Sequence, residues 1–209
     1  LCALPSAPAG SVNYFASENS FYYCDGTKWI AIGRSCTNCG GNASEKVAFI
    51  TNSSTRPRDL GGVSGADAIC QNEATQAGLS GTYLAWIADS SAASAPATRF
   101  STATKGTLPI VTPDGTQIAG SWANLTVAPL DANLDKNAFG VARFDSTSYV
   151  TTNVNDDGTQ NSSTQTCSDW TANDADAVEV GRYDNATLWT DHPTTFGCGN
   201  ALALYCFEQ

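Results

Sequence analysis

Eight cysteines in 209 residues are the feature that most constrains how this chain folds. They stand at Cys2, Cys24, Cys36, Cys39, Cys70, Cys167, Cys198 and Cys206. The count is even and the spacing is not that of a zinc ribbon, so the pattern predicts disulfides formed in an oxidising compartment. We therefore expect a secreted or cell-surface protein, located outside the cell, with a loop-rich fold.

The C-x-x-C pair, Cys36 and Cys39, lies in the turn-like stretch RSCTNCGG. A redox pair of this type uses a helix N-terminus to stabilise its thiolate. Gly40 and Gly41 disfavour a helix there. We expect a local structural bridge between the two cysteines, and a redox pair is the alternative.

Charged residues are few and unevenly placed. The chain carries a net charge of −10. From residue 131 onward, twelve Asp and Glu stand against three Lys and Arg, a balance of 3 − 12 = −9. Such a surface repels nucleic acid and anionic membranes, so no nucleic-acid partner is expected. Because no apolar run approaches the roughly 20 residues of a membrane span, no membrane insertion is expected either.

The sequence divides into two regions. Residues 1–41 alternate short β-prone runs with turn signals, which predicts a small β meander that needs a covalent link or neighbours for stability. Cys2 and Cys24 bracket this meander and are candidates for one such link. Residues 42–209 then form the main domain.

The main domain opens with a strand candidate, KVAFIT, and a helix candidate, SGADAICQNEATQAGL. Ser64 is a candidate N-cap, Asp67 is placed in the first turn, and Gly78 ends the helix. The apolar spacing puts Cys70 on the inward face. Further strands are predicted at TYLAWIAD and ALALYCFE, and short elements at LPIVT and GSWANL.

Several blocks of this domain resemble a known family. The stretch LGGVSGADAICQNEATQAGLSGTYLAWIAD, followed by LPIVTPDGTQIAGSWANL, TCSDWT and CGNALALYCFE, is similar to endostatin and to bacterial surface domains of the C-type-lectin-like superfamily. The resemblance implies an α+β, endostatin-like, disulfide-linked fold that spans about residues 47–209. The N-terminal meander is similar to short segments of bacterial and phage fibre proteins.

The resemblance also implies a nested disulfide pattern. Carried over to this chain, it pairs Cys70 with Cys206 and Cys167 with Cys198. The cysteines that remain then pair as Cys2 with Cys24 and Cys36 with Cys39. Trp170 and Trp189 lie beside the C-terminal cysteines, and we expect both to pack in the core.

The residues that carry chemistry do not predict an enzyme. His192 precedes a proline in TDHPTT and is expected to be an exposed bystander, and the catalytic motifs of hydrolases and P-loop proteins are missing. The tripeptides of calcium-dependent sugar-binding lectins are missing too. Paired carboxylates of a glycosidase remain an alternative, because only their separation in space would identify them.

One stretch has the oxygen ligands that calcium prefers. In NVNDDGTQN the candidate ligands are Asn155, Asp156 and Asp157, ahead of Gly158. The alternative is a plain β-turn built on Asp157 and Gly158. Ca²⁺ is the one cofactor that the sequence suggests.

We expect a recognition or adhesion module that binds a glycan or protein on another cell or in the matrix. The candidate ligand-binding residues are Tyr149, Asn153, Asn155 and Tyr183, which combine aromatic rings with amides. For Phe139 and Phe144 we expect burial in the core. The alternatives are a structural tip or collar of an oligomeric, for example trimeric, fibre and an extracellular hydrolase.

Overall fold

The computed structural model describes residues 10–15, 20–24, 29–31, 45–144, 147–172 and 177–209. The chain divides into two compact units, Leu1–Thr37 and Asn38–Gln209. The predicted boundary after residue 41 lies close to this division. Helices and strands both occur, which confirms the predicted α+β class at that level.

The first unit contains an antiparallel meander of three strands, β1 (Val12–Phe15), β2 (Ser20–Cys24) and β3 (Trp29–Ala31). Cys24 ends the middle strand and is in a disulfide. The prediction of a meander is therefore confirmed. The predicted bridges from Cys2 to Cys24 and from Cys36 to Cys39 lie outside the described residues.

The second unit holds the remaining elements. In chain order they are β4 (Lys46–Ile50), α1 (Gly62–Gln76), β5 (Tyr83–Ala85), α2 (Pro96–Arg99), β6 (Ile110–Val111), β7 (Gln117–Ala119), α3 (Trp122–Leu125), β8 (Tyr149–Thr151), α4 (Cys167–Trp170), β9 (Ala177–Arg182), β10 (His192–Gly197) and β11 (Tyr205–Glu208). Two 3₁₀ turns, Pro57–Asp59 and Ala92–Ser94, add to these.

Two sheets organise this unit. The larger has the order β5-β11-β4-β6-β7, with β4 and β6 parallel and the other pairs antiparallel. The smaller has the order β10-β9-β8 and is antiparallel throughout. A bridge between Val150 and Ala203 joins the smaller sheet to the segment that leads into β11. All residues of β11 are buried, as expected of an interior strand.

Helix α1 ends where the sequence predicts but begins earlier. At its C-terminus the amides of Leu79 and Gly78 donate to the carbonyls of Ala74 and Thr75, and Gly78 has a φ of +69°. This is the Schellman arrangement, which favours glycine at that position. At the N-terminus the cap is Gly61, with no side-chain hydrogen bond.

The predicted cap at Ser64 is therefore wrong, because this residue lies inside the helix, and Asp67 lies beyond the first turn. The physical reason is a close packing contact. A Cβ atom at Gly65 would lie 1.8 Å from the Leu60 carbonyl oxygen. Only glycine fits there, so the helix start is set by contact with the preceding turn rather than by a polar cap.

Two disulfides fix the second unit. Cys70 of α1 is bonded to Cys206 of β11, and Cys167 is bonded to Cys198, which confirms both pairings that the resemblance implied. Ala66, Cys70 and Ala74 of α1 are all buried, so Cys70 faces inward as the apolar spacing predicts. The first bridge thus links the helix to an interior strand.

Aromatic rings fill the core around the larger sheet. Trp86 lies at the centre, with ring centroids 4.8 Å from Trp189 and 5.3 Å from Phe207. Its indole nitrogen donates to the Thr190 hydroxyl at 2.6 Å. Trp170 and Trp189 are both fully buried, which confirms their predicted packing role.

A largely buried ion pair connects α1 to α2. Arg99 Nη1 lies 3.0 Å from both carboxylate oxygens of Asp67, and its Nη2 donates to the Ala85 carbonyl. The Ala85 amide donates back to Asp67 Oδ1 at 2.8 Å. Burial raises the pKa of Asp67, although Arg99 opposes this effect. The pair therefore ties helix, strand and loop together at the cost of desolvating two charges.

Replacing Arg99 with Met should leave the Asp67 carboxylate buried without its cation. We expect the free energy of unfolding at neutral pH to fall by about 3–5 kcal/mol, measured by urea denaturation. Because loss of Arg99 raises the pKa of Asp67 further, the destabilisation should shrink as the pH falls and the carboxyl takes up a proton.

The matched control is Arg56→Met, which breaks an exposed pair with Asp59. This change should cost less than about 1 kcal/mol, since exposed ion pairs contribute little. Equal losses in the two variants would contradict a special role for the buried pair.

Candidate functional site

The predicted calcium stretch forms a β-hairpin. Val154 pairs with Gln160, the Asn155 amide donates to the Thr159 carbonyl, and the Gly158 amide donates to the Asn155 carbonyl. Gly158 has a φ of +81°, which suits glycine in a tight turn. The alternative interpretation, a plain turn on Asp157 and Gly158, is therefore confirmed as the local backbone structure.

Two of the side-chain oxygens proposed as ligands, one from Asp157 and one from Asn155, accept hydrogen bonds within this segment. Asp157 Oδ1 accepts hydrogen bonds from the amide and the hydroxyl of Thr159, which lowers the pKa of Asp157. Asn155 Oδ1 accepts from Asn161 Nδ2, which also donates to Asp191 Oδ1 at 3.2 Å. These bonds stabilise the hairpin from within the chain.

Asp156 differs from its neighbours. Its Oδ1 is buried and has no hydrogen-bond partner. Burial, followed by repulsion from Asp191 and Asp157, raises the pKa of its carboxyl. Asp191 also contributes to the raised pKa of Glu179. A cation would relieve this crowding of carboxylates, but within the described ranges no group of three or more His, Cys, Asp and Glu side chains is arranged to hold a metal. The Ca²⁺ site stays a prediction.

Asn153, a predicted ligand-binding residue, lies in the interior and not on the surface. Asn153 is fully buried, and its amide nitrogen donates to the carbonyls of Ala88 and Ser162. Its Oδ1 accepts from the Ser162 amide, so all these bonds hold neighbouring loops together. Contact with a surface ligand would require breaking them, and the side chain is explained by its structural role.

Tyr149 lies on the smaller sheet within an aromatic cluster. Its ring centroid is 4.6 Å from Phe196 and 5.3 Å from His192, and the Arg182 guanidinium lies 5.4 Å from it. His192 is half-buried and packs against this ring, so the prediction that it is an exposed bystander is wrong. Tyr149 remains half-buried, which leaves part of it accessible to a ligand.

Two phenylalanines that the sequence places in the core, Phe139 and Phe144, lie instead on the surface. Phe139 is 55% exposed, Val141 59% and Phe144 89%. The prediction of burial for Phe139 and Phe144 is therefore wrong. The reason is that the segment between Asn137 and Phe144, here called the 137–144 loop, is held by its polar side chains and does not need its rings as anchors.

Asn137 fixes the turn of this loop. Its buried Oδ1 accepts hydrogen bonds from the amides of Phe139 and Val141, each at 3.0 Å. The Asn137 amide donates to the Val141 carbonyl, and Gly140 takes a φ of +74°. These bonds close the turn on itself, which points Phe139 and Val141 away from the core.

Arg143 fastens the other end of the loop. Its Nη1 donates to the carbonyls of Thr51, Asn52 and Ser53, and its Nη2 donates to the Ser54 hydroxyl at 2.6 Å. Glu73 of α1 accepts from the amides of Asn52 and Ser53. The 137–144 loop, residues 51–54 and α1 therefore form one connected surface.

Shallow depressions flank the loop on this surface. One of about 320 Å³ lies between Phe139 and the α1 residues Asn72 and Gln76. Another, of about 260 Å³, is lined by Phe144, Tyr183 and Asp184 with three further residues. Tyr183 is almost fully buried, so it contributes a wall to this depression rather than an exposed ring. A third, of about 400 Å³, lies between them at Asn52 and Arg143.

The sequence places a candidate recognition region at residues 137–161, but it does not predict that Phe139 and Phe144 are exposed, because the local signal is weak. An Asn followed three residues later by Gly, as in Asn137 and Gly140, is typical of a turn, and an aromatic within such a turn is a candidate for exposure. The role of Arg143 depends on residues about ninety positions away. No local pattern predicts such a contact.

Comparison with known proteins gives no assignment: neither protein-family models nor curated proteins match this chain. Among the helices in the described ranges, none has the length and apolar character needed to cross a membrane.

Replacing Asp156 with Asn tests the crowded carboxylates. At neutral pH and without calcium, we expect a higher melting temperature, because the amide removes repulsion with Asp191 and Asp157. The raised pKa means that the penalty in the original chain exists when Asp156 is ionised, so the gain should vanish as the pH falls to about 4 and below.

The same pair of proteins tests calcium. If Asp156 is a ligand, millimolar CaCl₂ should raise the melting temperature of the original chain and not that of Asp156→Asn, because a native-state ligand stabilises by mass action. Asp131→Asn, an equal change of charge at an exposed residue, is the control. No calcium response in the original chain would remove the prediction.

Proposed function

We propose that this protein is an extracellular recognition or adhesion module that binds a glycan or a protein on another cell or in the matrix. The observation that carries the proposal is the 137–144 loop, which exposes three apolar side chains on a backbone fixed by hydrogen bonds. Exposed apolar clusters mark interaction sites. A fixed loop also loses little conformational entropy when it binds.

The endostatin-like, C-type-lectin-like fold is part of this proposal. The nested bridges Cys70–Cys206 and Cys167–Cys198 support it, as does a long helix followed by a strand that pairs with the C-terminal strand. The disulfides also support an extracellular location, since such bonds persist in oxidising compartments. Long connections between these elements are the usual carriers of binding function.

A structural tip or collar of a trimeric fibre is the second candidate. The same exposed loop favours it, because an apolar surface can equally be covered by another copy of the chain. Light scattering on the purified protein separates the two, since only the fibre candidate predicts an oligomer that Phe144→Ala disrupts.

Phe144→Ala is the sharpest test of the recognition surface. The original chain is applied to a printed glycan array and to an array of purified extracellular proteins, and the variant is compared on every positive spot. We expect binding to weaken by about 2 kcal/mol, or roughly thirtyfold, as for a hot-spot aromatic. The melting temperature should not change, because the ring is 89% exposed.

Val127→Ala and Tyr149→Ala complete the experiment. Val127 is an exposed apolar residue outside the loop and serves as the matched control. Tyr149→Ala tests the surface predicted from sequence, where loss of the ring should weaken binding by about 1–3 kcal/mol if that surface is used. Binding that neither Phe144→Ala nor Tyr149→Ala weakens would reject both surfaces.

A further inference from the structure

We propose that the 137–144 loop inserts its apolar side chains into an apolar cleft of a protein whose surrounding surface is basic. This inference rests on the proposed recognition function and names the class of partner. Three properties of the loop support it: the chemistry of its exposed atoms, the existing bonds of its polar groups, and the charge of the domain that presents it.

The exposed atoms of the loop are mainly carbon. Phe139, Val141 and Phe144 stand within six residues and are each more than half exposed. Aromatic anchors of this kind dominate the energetics of protein interfaces when they enter a pocket of the partner. An aliphatic Val between two Phe residues extends an apolar contact and offers no group that bonds a sugar hydroxyl.

The polar groups beside these side chains already have partners within the chain. Asn137 Oδ1 accepts two backbone hydrogen bonds, and Arg143 donates to three carbonyls and a hydroxyl. Both Glu73 carboxylate oxygens hold residues 52 and 53. Glycan recognition needs such groups to bond the sugar hydroxyls, so their engagement favours a protein partner.

The charge of the domain favours a basic partner. Residues 45–209 contain 18 acidic and 8 basic residues, a net charge of 8 − 18 = −10. Near the loop, Lys136 is paired with Asp135 and Arg182 with Asp184, each at 2.6 Å. The long-range field of the domain is therefore negative. Such a field attracts a basic protein to the domain that presents the loop and opposes a second copy of the same acidic chain.

A random peptide library displayed on phage tests the class of partner directly. Phage that bind the immobilised full chain are collected. Those that also bind the double variant Phe139→Ser, Phe144→Ser are then removed, which leaves the phage whose binding depends on the loop. A thermal melt checks that the double variant is folded. Both replaced rings are exposed, so the fold should persist. We expect the surviving peptides to combine an aromatic or aliphatic residue with Lys or Arg.

One enriched peptide is then synthesised for affinity measurements. Its affinity should fall at least about tenfold with Phe144→Ser and stay unchanged with Val127→Ser, the off-loop control. It should also fall several-fold between low and high salt, since salt screens the attraction between the domain and a basic peptide. Loop-dependent peptides without an excess of Lys and Arg, or without salt dependence, would overturn the basic partner.

The glycan array separates this inference from the proposed function. A glycan that binds in a Phe144-dependent manner, with no loop-dependent peptide, would overturn the protein partner and keep the recognition function. If neither the peptide library nor the two arrays yields a binder that depends on the loop, the inference and the loop-based function both fall.

Discussion

The covalent link between α1 and β11 is the constraint on which the second unit depends. Cys206 lies on a strand paired on both sides, with β4 and with β5, so the bridge to Cys70 anchors the helix to the interior of the larger sheet. It closes 136 positions of chain, and in the simplest entropy model such a closure removes about 5 kcal/mol from the stability of the unfolded ensemble. The connections between these anchors can then be long without the core losing its shape.

Features that neighbouring residues determine were predictable from the sequence. Features that depend on contacts with residues far along the chain were not. Gly78 ends α1 because a left-handed residue is needed at that point, and this requirement is visible in the sequence. The start of α1 is set by the contact between Gly65 and Leu60. The role of Asp67 is set by its ion pair with Arg99, which lies 32 residues later in the chain. The pattern identifies a polar residue near a helix end, but only the tertiary structure determines its partner.

The loop aromatics follow the same rule. Tyr183 is followed by polar residues and Phe139 has small apolar neighbours, yet Tyr183 is nearly fully buried and Phe139 is exposed. Their exposure differs because Tyr183, directly after β9, packs in the main core cluster. Phe139 lies in a turn that is closed by hydrogen bonds to Asn137. In the hairpin after Asn153, the spacing of Asn and Asp residues predicts oxygen ligands for calcium, and that site stays a prediction. The structure shows that Asp157 Oδ1 and Asn155 Oδ1 accept hydrogen bonds from Thr159 and Asn161.

The exposure of Phe139 and Phe144 calls for an explanation other than folding. The loop keeps its shape through Asn137 and Arg143, whose bonds remain if the rings are removed, so neither ring is needed to hold the backbone. Burial in the core would lower the free energy of these side chains, whereas exposure to water does not. Phe144 is 89% exposed, so contact with another molecule, as the proposed recognition function requires, would remove its apolar surface from water. In that proposal the 51–54 segment and α1 would provide a fixed base for the loop, because Arg143 and Glu73 both bond to residues 51–54.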